Sequence, residues 1–258
     1  MQNALTSSHP SRRSLDAWLN RVFGWAGLVV VPRWRLQRLS EAQFLQQLFS
    51  TYSVDCVIDV GANLGQYRDF LRNNVGYGGT ILSFEPHPEC AEQLARRSAS
   101  DPDWEIFSMG LGAEDGDRAF FMTQSSQLSS FRVPDVSQAP HLQGHSQVSR
   151  EQTVRIATLD TFAAQNTALS RARACFLKID TQGYDLEVIR GAREVLERCV
   201  AVQTEASVTP IYEGIPDITE TIQEISGYGF RLADAGAVNR KETLQAIDFD
   251  LVFVKSAV

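Results

Sequence analysis

One short run constrains this chain more than any other: Val57-Ile58-Asp59-Val60-Gly61-Ala62-Asn63-Leu64-Gly65-Gln66. The apolar stretch Val54–Val60 reads as a strand buried on both faces, since a strand covered on both sides needs no polar alternation. It stops at Gly61 and hands over to a helix predicted over Gly65–Asn74. A strand passing so directly into a helix belongs to a strand–helix–strand unit. The alternation continues along the chain. Strands are predicted at Thr80–Glu85, Trp104–Leu111, Ala174–Asp180, Cys199–Glu205, Phe230–Ala233 and Leu251–Val254. Helices are predicted at Pro88–Ala99, Leu159–Gln165, Tyr184–Arg198 and Ile218–Ile225; Pro88 suits a first helical turn, and Asp160 favours the start of its helix. Arg118–Thr123 and Gln152–Ala157 read as extra strands. The fold class is therefore α/β, a mostly parallel seven-stranded sheet with helices on both faces.

The length of 258 residues fits one such domain, placed at 51–258, preceded by a helical extension over 1–50 that is partly disordered. Ser40–Phe49 has helical spacing at Phe44, Leu45, Leu48 and Phe49. The apolar run Val22–Val31, preceded by Arg12 and Arg13, is shorter than the roughly 20 residues of a membrane span. It suits a helix packed on the domain or on a second copy, with weak contact to a membrane surface as the sharper alternative. The formal charge of −7 makes nucleic acid a poor partner and suits a neutral or cationic substrate. Cys56, Cys90, Cys175 and Cys199 form no paired spacing, so neither a disulfide framework nor zinc is expected, and a reducing cytoplasm is the simplest compartment. Residues 124–150 form a long irregular stretch, read as a binding loop rather than a disordered insertion.

Open parallel sheets bind ligands beyond the C-terminal ends of their strands. Gly61 and Gly65 let the backbone turn there, and the following helix directs free N–H groups at the crevice. Asp59 would repel a pyrophosphate and attract a sulfonium. Position 63 is Asn, so the dinucleotide pattern G-x-G-x-x-G is missing. Glu85 lies 24 residues beyond Gly61, near the offset of about 20 at which an acid meets ribose hydroxyls. These features favour S-adenosylmethionine as cofactor. The candidate cofactor-binding residues are Asp59, Gly61, Ala62, Asn63, Gly65 and Gln66 in the turn, Glu85 and Pro86 at the second strand end, and Gly110 near the end of the third strand.

Four stretches resemble the FkbM family of S-adenosylmethionine-dependent methyltransferases: Asp59–Gln66, Phe84-Glu85-Pro86, Thr158–Phe162 and Lys178-Ile179-Asp180-Thr181-Gln182-Gly183-Tyr184-Asp185. Gly191-Ala192, Gln203-Thr204-Glu205 and Pro210–Gly214 also fit, and the resemblance covers about residues 52–256. It implies a Rossmann-like class I methyltransferase that methylates oxygen, commonly on sugar or polyketide hydroxyls. Members often carry Glu-Gly where this chain has Gln182-Gly183.

An alcohol acceptor must lose a proton far above neutral pH, which calls for a positioned base or a metal. Asp180, at the tip of the fourth main strand, is the candidate base. Lys178 lies two residues earlier on the same strand face and would hold Asp180 or Glu205 by charge. Glu205 ends the fifth strand and flanks the same cleft. No metal site is expected, since no tight acidic cluster is visible, although an ion between Asp180 and Glu205 is an alternative. His141 and His145 lie in a Pro- and Gly-containing loop where no helix would bring them together. The acceptor is expected to be a saccharide or another small molecule. The rival readings are an NAD-linked oxidoreductase or epimerase on a similar sheet, a non-catalytic cofactor-binding assembly partner, and N- or protein methylation.

Overall fold

The computed structural model describes Val22, Phe23, Trp25 and residues 36–135, 137, 144–241 and 243–256. The expectations for the first residues, most of the Val22–Val31 helix and His141 lie outside these described residues. Among the described residues, no helix is long and apolar enough to cross a membrane.

The elements follow in chain order: α1 (Leu36–Tyr52), β1 (Cys56–Val60), α2 (Gln66–Phe70), β2 (Thr80–Phe84), α3 (Pro88–Ser98), β3 (Trp104–Phe107), β4 (Gly110–Leu111), β5 (Gly116–Thr123) and β6 (Val148–Ala157). Then come α4 (Leu159–Gln165), α5 (Thr167–Arg171), β7 (Cys175–Ile179), α6 (Asp185–Arg190), α7 (Arg193–Leu196), β8 (Cys199–Ser207), α8 (Ile218–Gly227), β9 (Phe230–Arg240) and β10 (Ala246–Lys255). Seven strands form the main sheet in the order β3-β2-β1-β7-β8-β10-β9. The first five are mutually parallel, and β10 runs antiparallel to both neighbours. This is the expected class I Rossmann-like sheet. Order reverses between β1 and β7, where such sheets open a ligand crevice.

Apolar side chains cover both faces. One face packs β1, β7 and β8 residues such as Ile58, Leu177 and Val202 on Val188, Val195 and Ile225 of the helices. The other packs Val57, Phe176 and Ala201 on Leu45, Phe70 and Leu71. Helix α1 runs through residue 50 and buries Ala42, Leu45, Leu48 and Phe49 in this second layer. Phe49 meets the Tyr77 and Phe176 rings edge-on, at centroid distances of 5.1 and 4.9 Å.

Four predicted elements change. The strand expected over Trp104–Leu111 divides: Trp104–Phe107 pairs with β2, whereas Gly110–Leu111 leaves to join a separate sheet ordered β4-β6-β5. The extra strands predicted from periodicity are β5 and β6 of that sheet. The helix expected over Tyr184–Arg198 breaks at Gly191. A Cβ there would sit 1.9 Å from the Gly112 carbonyl oxygen, so the second sheet presses on the break. Asp160 accepts the Glu194 and Val195 N–H groups at 3.1 and 3.0 Å and caps the new helix α7; it also lies in the first turn of α4, whose N-cap is Thr158. The closing strands are longer than predicted, because β9 and β10 continue as a hairpin past the sheet.

Candidate active site

Parallel pairing sets Ser83, Asp59, Lys178 and Gln203 side by side on β2, β1, β7 and β8, past a register shift at Cys175–Phe176. Each is a polar residue inside an apolar strand, and together they form one buried polar row. Ser83 Oγ donates to Asp59 Oδ2 (3.1 Å) and receives the Trp104 indole N–H (3.0 Å). Lys178 Nζ lies 3.4 Å from Asp59 Oδ1 and 3.4 Å from Asp180 Oδ2. It also sits 5.2 Å from the Tyr67 ring centroid. Tyr67 Oη donates to Gln203 Oε1 (2.7 Å), and Gln203 Nε2 donates to Glu41 Oε1 (3.1 Å), which ties α2, β8 and α1 together. Burial lowers the Lys178 ammonium, but the carboxylates of Asp180, Asp59 and Asp250 outweigh it and hold that group above the ordinary lysine range. Burial raises the Asp59 carboxyl, against the pull of Lys178 and Ser83.

Above this row opens a cleft of about 1070 Å³. Gly61, Ala62, Asn63, Gln66, Glu85, Pro86 and Gly110 line one end of it, and Lys178, Asp180 and Glu205 line the other. Asp59 and Gly65 do not line it. Asp59 is fully buried beneath the floor and reaches the cleft through Lys178. Gly65 carries φ +82 at the cap of α2, and a Cβ there would meet Leu94 and Trp104 at 3.0 and 3.1 Å. Gly61 has φ +83, and its Cβ would fall 1.9 Å from the Asp180 carbonyl oxygen. Its glycine therefore serves the close approach of the β1 and β7 tips as well as the turn into the cleft.

At the β1–β2 end the polar groups are already engaged. Glu85 accepts the N–H of Asn63 through Oε2 (2.6 Å) and that of His87 through Oε1 (2.8 Å). Each carboxylate oxygen keeps a further lone pair, enough for two neighbouring ribose hydroxyls. Burial pushes the Glu85 carboxyl up to about 7 despite those two donors. Gln66 Oε1 accepts the Leu64 N–H at 3.0 Å, so one of the turn's N–H groups is taken by the chain itself. Asn63 Nδ2 donates to Ser126 Oγ (3.1 Å), which brings the irregular loop onto the turn. Ser125–Phe131, apart from Ser130, and His145 line the cleft, so this described part of the 124–150 stretch borders the site.

At the β7–β8 end carboxyl groups crowd together. Asp180 is the open one, with 42% of its side chain exposed. Burial, followed by Asp180, raises both Glu205 and Asp250, the latter to about 7. Burial likewise raises Asp248, against two hydrogen bonds from Asn239. Lys178 partners Asp59 and Asp180, not Glu205; the Glu205 partner is Gln182, whose Nε2 donates to Glu205 Oε2 (3.0 Å) and Asp180 Oδ1 (2.8 Å). Sequence reasoning missed Glu41, Tyr67, Gln203, Asp248 and Asp250. The available signal was the polar residue inside each apolar strand, which names Gln203 and Asp250 but not the α1 and α2 partners. Among the described residues no three His, Cys, Asp or Glu side chains are grouped to hold a metal ion.

The Methyltransferase FkbM domain matches residues 59–232. The hexuronic acid methyltransferase AglP of Haloferax volcanii is 24% identical over 196 residues, covering 74% of this chain and 72% of that protein. Among solved structures, the methyltransferase FkbM of Methylobacillus flagellatus superposes with a TM-score of 0.48 at 13% identity, over 77% of this chain. This chain spans 43% of that one. The magnesium protoporphyrin IX methyltransferase of Synechocystis, solved with S-adenosylmethionine, gives 0.45 at 8% identity over 99% of this chain and 100% of that one. The chain belongs to the FkbM family and is an S-adenosylmethionine-dependent methyltransferase.

Proposed function

We propose that the enzyme methylates a hydroxyl oxygen of a saccharide or a similar small molecule, with Asp180 as general base. The observation that carries this reading is the placement of Asp180. Its carboxylate is the exposed one at the tip of β7, anchored by Lys178 and Gln182, and the cofactor end of the cleft begins directly beside it at Gly61.

Bound S-adenosylmethionine supplies a methyl group activated by its positive sulfur. The residues of the β1–β2 end suit its nucleoside: Glu85 for the ribose hydroxyls, with Asn63, Gln66 and Gly110 around it. The protein's remaining work is to align the acceptor and exclude water. Asp180 accepts the hydroxyl proton as the oxygen attacks. Lys178 keeps that carboxylate in place without competing for the proton, because three carboxylates hold its own. Ser129 and the Ser125–Leu128 segment cover the acceptor from the loop side. The hexuronic acid acceptor named for the Haloferax relative supports a saccharide. The cleft here is acid-rich, with Lys178 and Arg38 its only lysine or arginine among the described residues. That favours a neutral or cationic sugar over a uronate.

A labelled-methyl screen over neutral sugars, amino sugars, uronates, sugar nucleotides and glycolipids, with mass mapping of the product, tests the reading. Methyl incorporation at a sugar oxygen is expected. Label found on nitrogen, or on a protein in the same mixture, would overturn it.

A further inference from the structure

We propose that Gln182 is the positioning residue of the acceptor end: its amide binds Asp180 and Glu205 as one bridged pair and loosens that pair's hold on a shared proton. The proposal rests on Asp180 as the base. The two hydrogens of Nε2 go to different carboxyl groups, Asp180 Oδ1 at 2.8 Å and Glu205 Oε2 at 3.0 Å. The amide oxygen accepts from Tyr212 Oη at 3.0 Å. The Tyr212 hydroxyl has one hydrogen and also the Leu128 carbonyl in reach at 3.1 Å, so the two carboxyl groups set which way the amide points: reversal would put its oxygen between them. Two neighbouring carboxylates without a donor between them relieve their repulsion by sharing a proton. A neutral amide that donates to both weakens the pair's hold on that proton.

The backbone is arranged around this task. Gln182 has φ +55, in the left-handed region, where a residue with a side chain costs about 1–2 kcal/mol. Gly183 follows at φ +87. Ser130 Oγ donates to the Gln182 carbonyl at 2.8 Å, and Tyr212 reaches the same site from the segment after β8. A strained residue held by three chain segments marks a position whose side-chain direction matters. A glutamate here would add a third carboxyl and remove the donors.

The charged and titratable groups facing the pair are Lys178 on β7, Asp59 on β1, Asp185 on α6, Asp248 and Asp250 on β10, and Tyr212. None of these is altered in the test. The full-length protein, saturated with S-adenosylhomocysteine, is titrated by carbon NMR of its side-chain carboxyls. Asp180→Asn and Glu205→Gln assign the signals of the pair. With Gln182→Leu, the pair should bind its last proton about tenfold more tightly, moving the midpoint up by about one unit. With Gln182→Glu the rise should be larger. A purely structural role would lower the melting temperature and leave the titration in place. Superimposable titrations of the native and variant proteins would overturn the proposal, and Gln182→Glu carries the test if Gln182→Leu does not fold. Turnover retained by Asp180→Asn would instead defeat the base assignment, whatever the titration shows.

Discussion

The two ends of the cleft are built in opposite ways. The β1–β2 end is local. Its turn, Gly61–Gln66, and its acid, Glu85, come from one strand–helix–strand unit, and Glu85 is bonded to backbone N–H groups of Asn63 and His87. The β7–β8 end is assembled from afar. Asp180 just past β7, Glu205 on β8 and Asp250 on β10 are joined by strand pairing and by Gln182. At the first end a single carboxyl faces the cleft among dipoles. At the second, several carboxyls share one lysine. A recurring ligand can be met by a fixed local cradle, whereas the reacting end needs groups whose charges tune one another.

Four changes would break or sharpen this contrast. Asp180→Asn should lower kcat by about 10³–10⁴-fold, the upper range for a lost general base, with S-adenosylhomocysteine affinity unchanged. Equal losses in both would mean the ends are not separable. Lys178→Met sits beneath both ends and removes the only charge partner of fully buried Asp59 among the described residues. It should cost about 3–5 kcal/mol in denaturant unfolding, and a cost near zero would show that Asp59 is carried uncharged.

Glu85→Gln should weaken S-adenosylhomocysteine about 10–100-fold by calorimetry, the loss of a charge-assisted pair of hydrogen bonds. The native protein adds a pH signature. Burial has raised Glu85 to about 7 in the free protein, and hydroxyl donors favour its ionised form. Binding should therefore release a proton below pH 7, and affinity should climb with pH and level off above it. Glu85→Gln should flatten that climb; an unaltered climb would move the titrating group elsewhere. The smallest effect is expected for Tyr67→Phe, about 1 kcal/mol in stability from one lost hydrogen bond to Gln203. A large loss of kcat there would show that the row beneath the cleft steers Lys178.

Much of this was legible beforehand, and particular residues show why the rest was not. Ile58 and Leu177 lie in apolar runs, and Gly61 ends one, so the strands and their order of alternation were readable. The break at Gly191 was not, because its cause is the carbonyl of Gly112, far away in sequence. The departure of Gly110–Leu111 into a second sheet was hidden for the same reason. Lys178 was read as a partner for Asp180 or Glu205. Its second partner, Asp59, follows from the register of β1 against β7, which periodicity within one strand does not give.

The sequence alone determined the sheet class, the glycine turn, the acid at the second strand end and the acid at the fourth. Each is written in neighbouring residues, where chain geometry fixes what can follow. Tertiary structure alone decided that Asp59 lies under the floor, that Gln182 bridges two carboxyls, and that Glu41, Gln203 and Asp250 join the site. Those outcomes depend on strand register and on which groups share a low-dielectric interior. Both are set by packing between segments far apart in the chain.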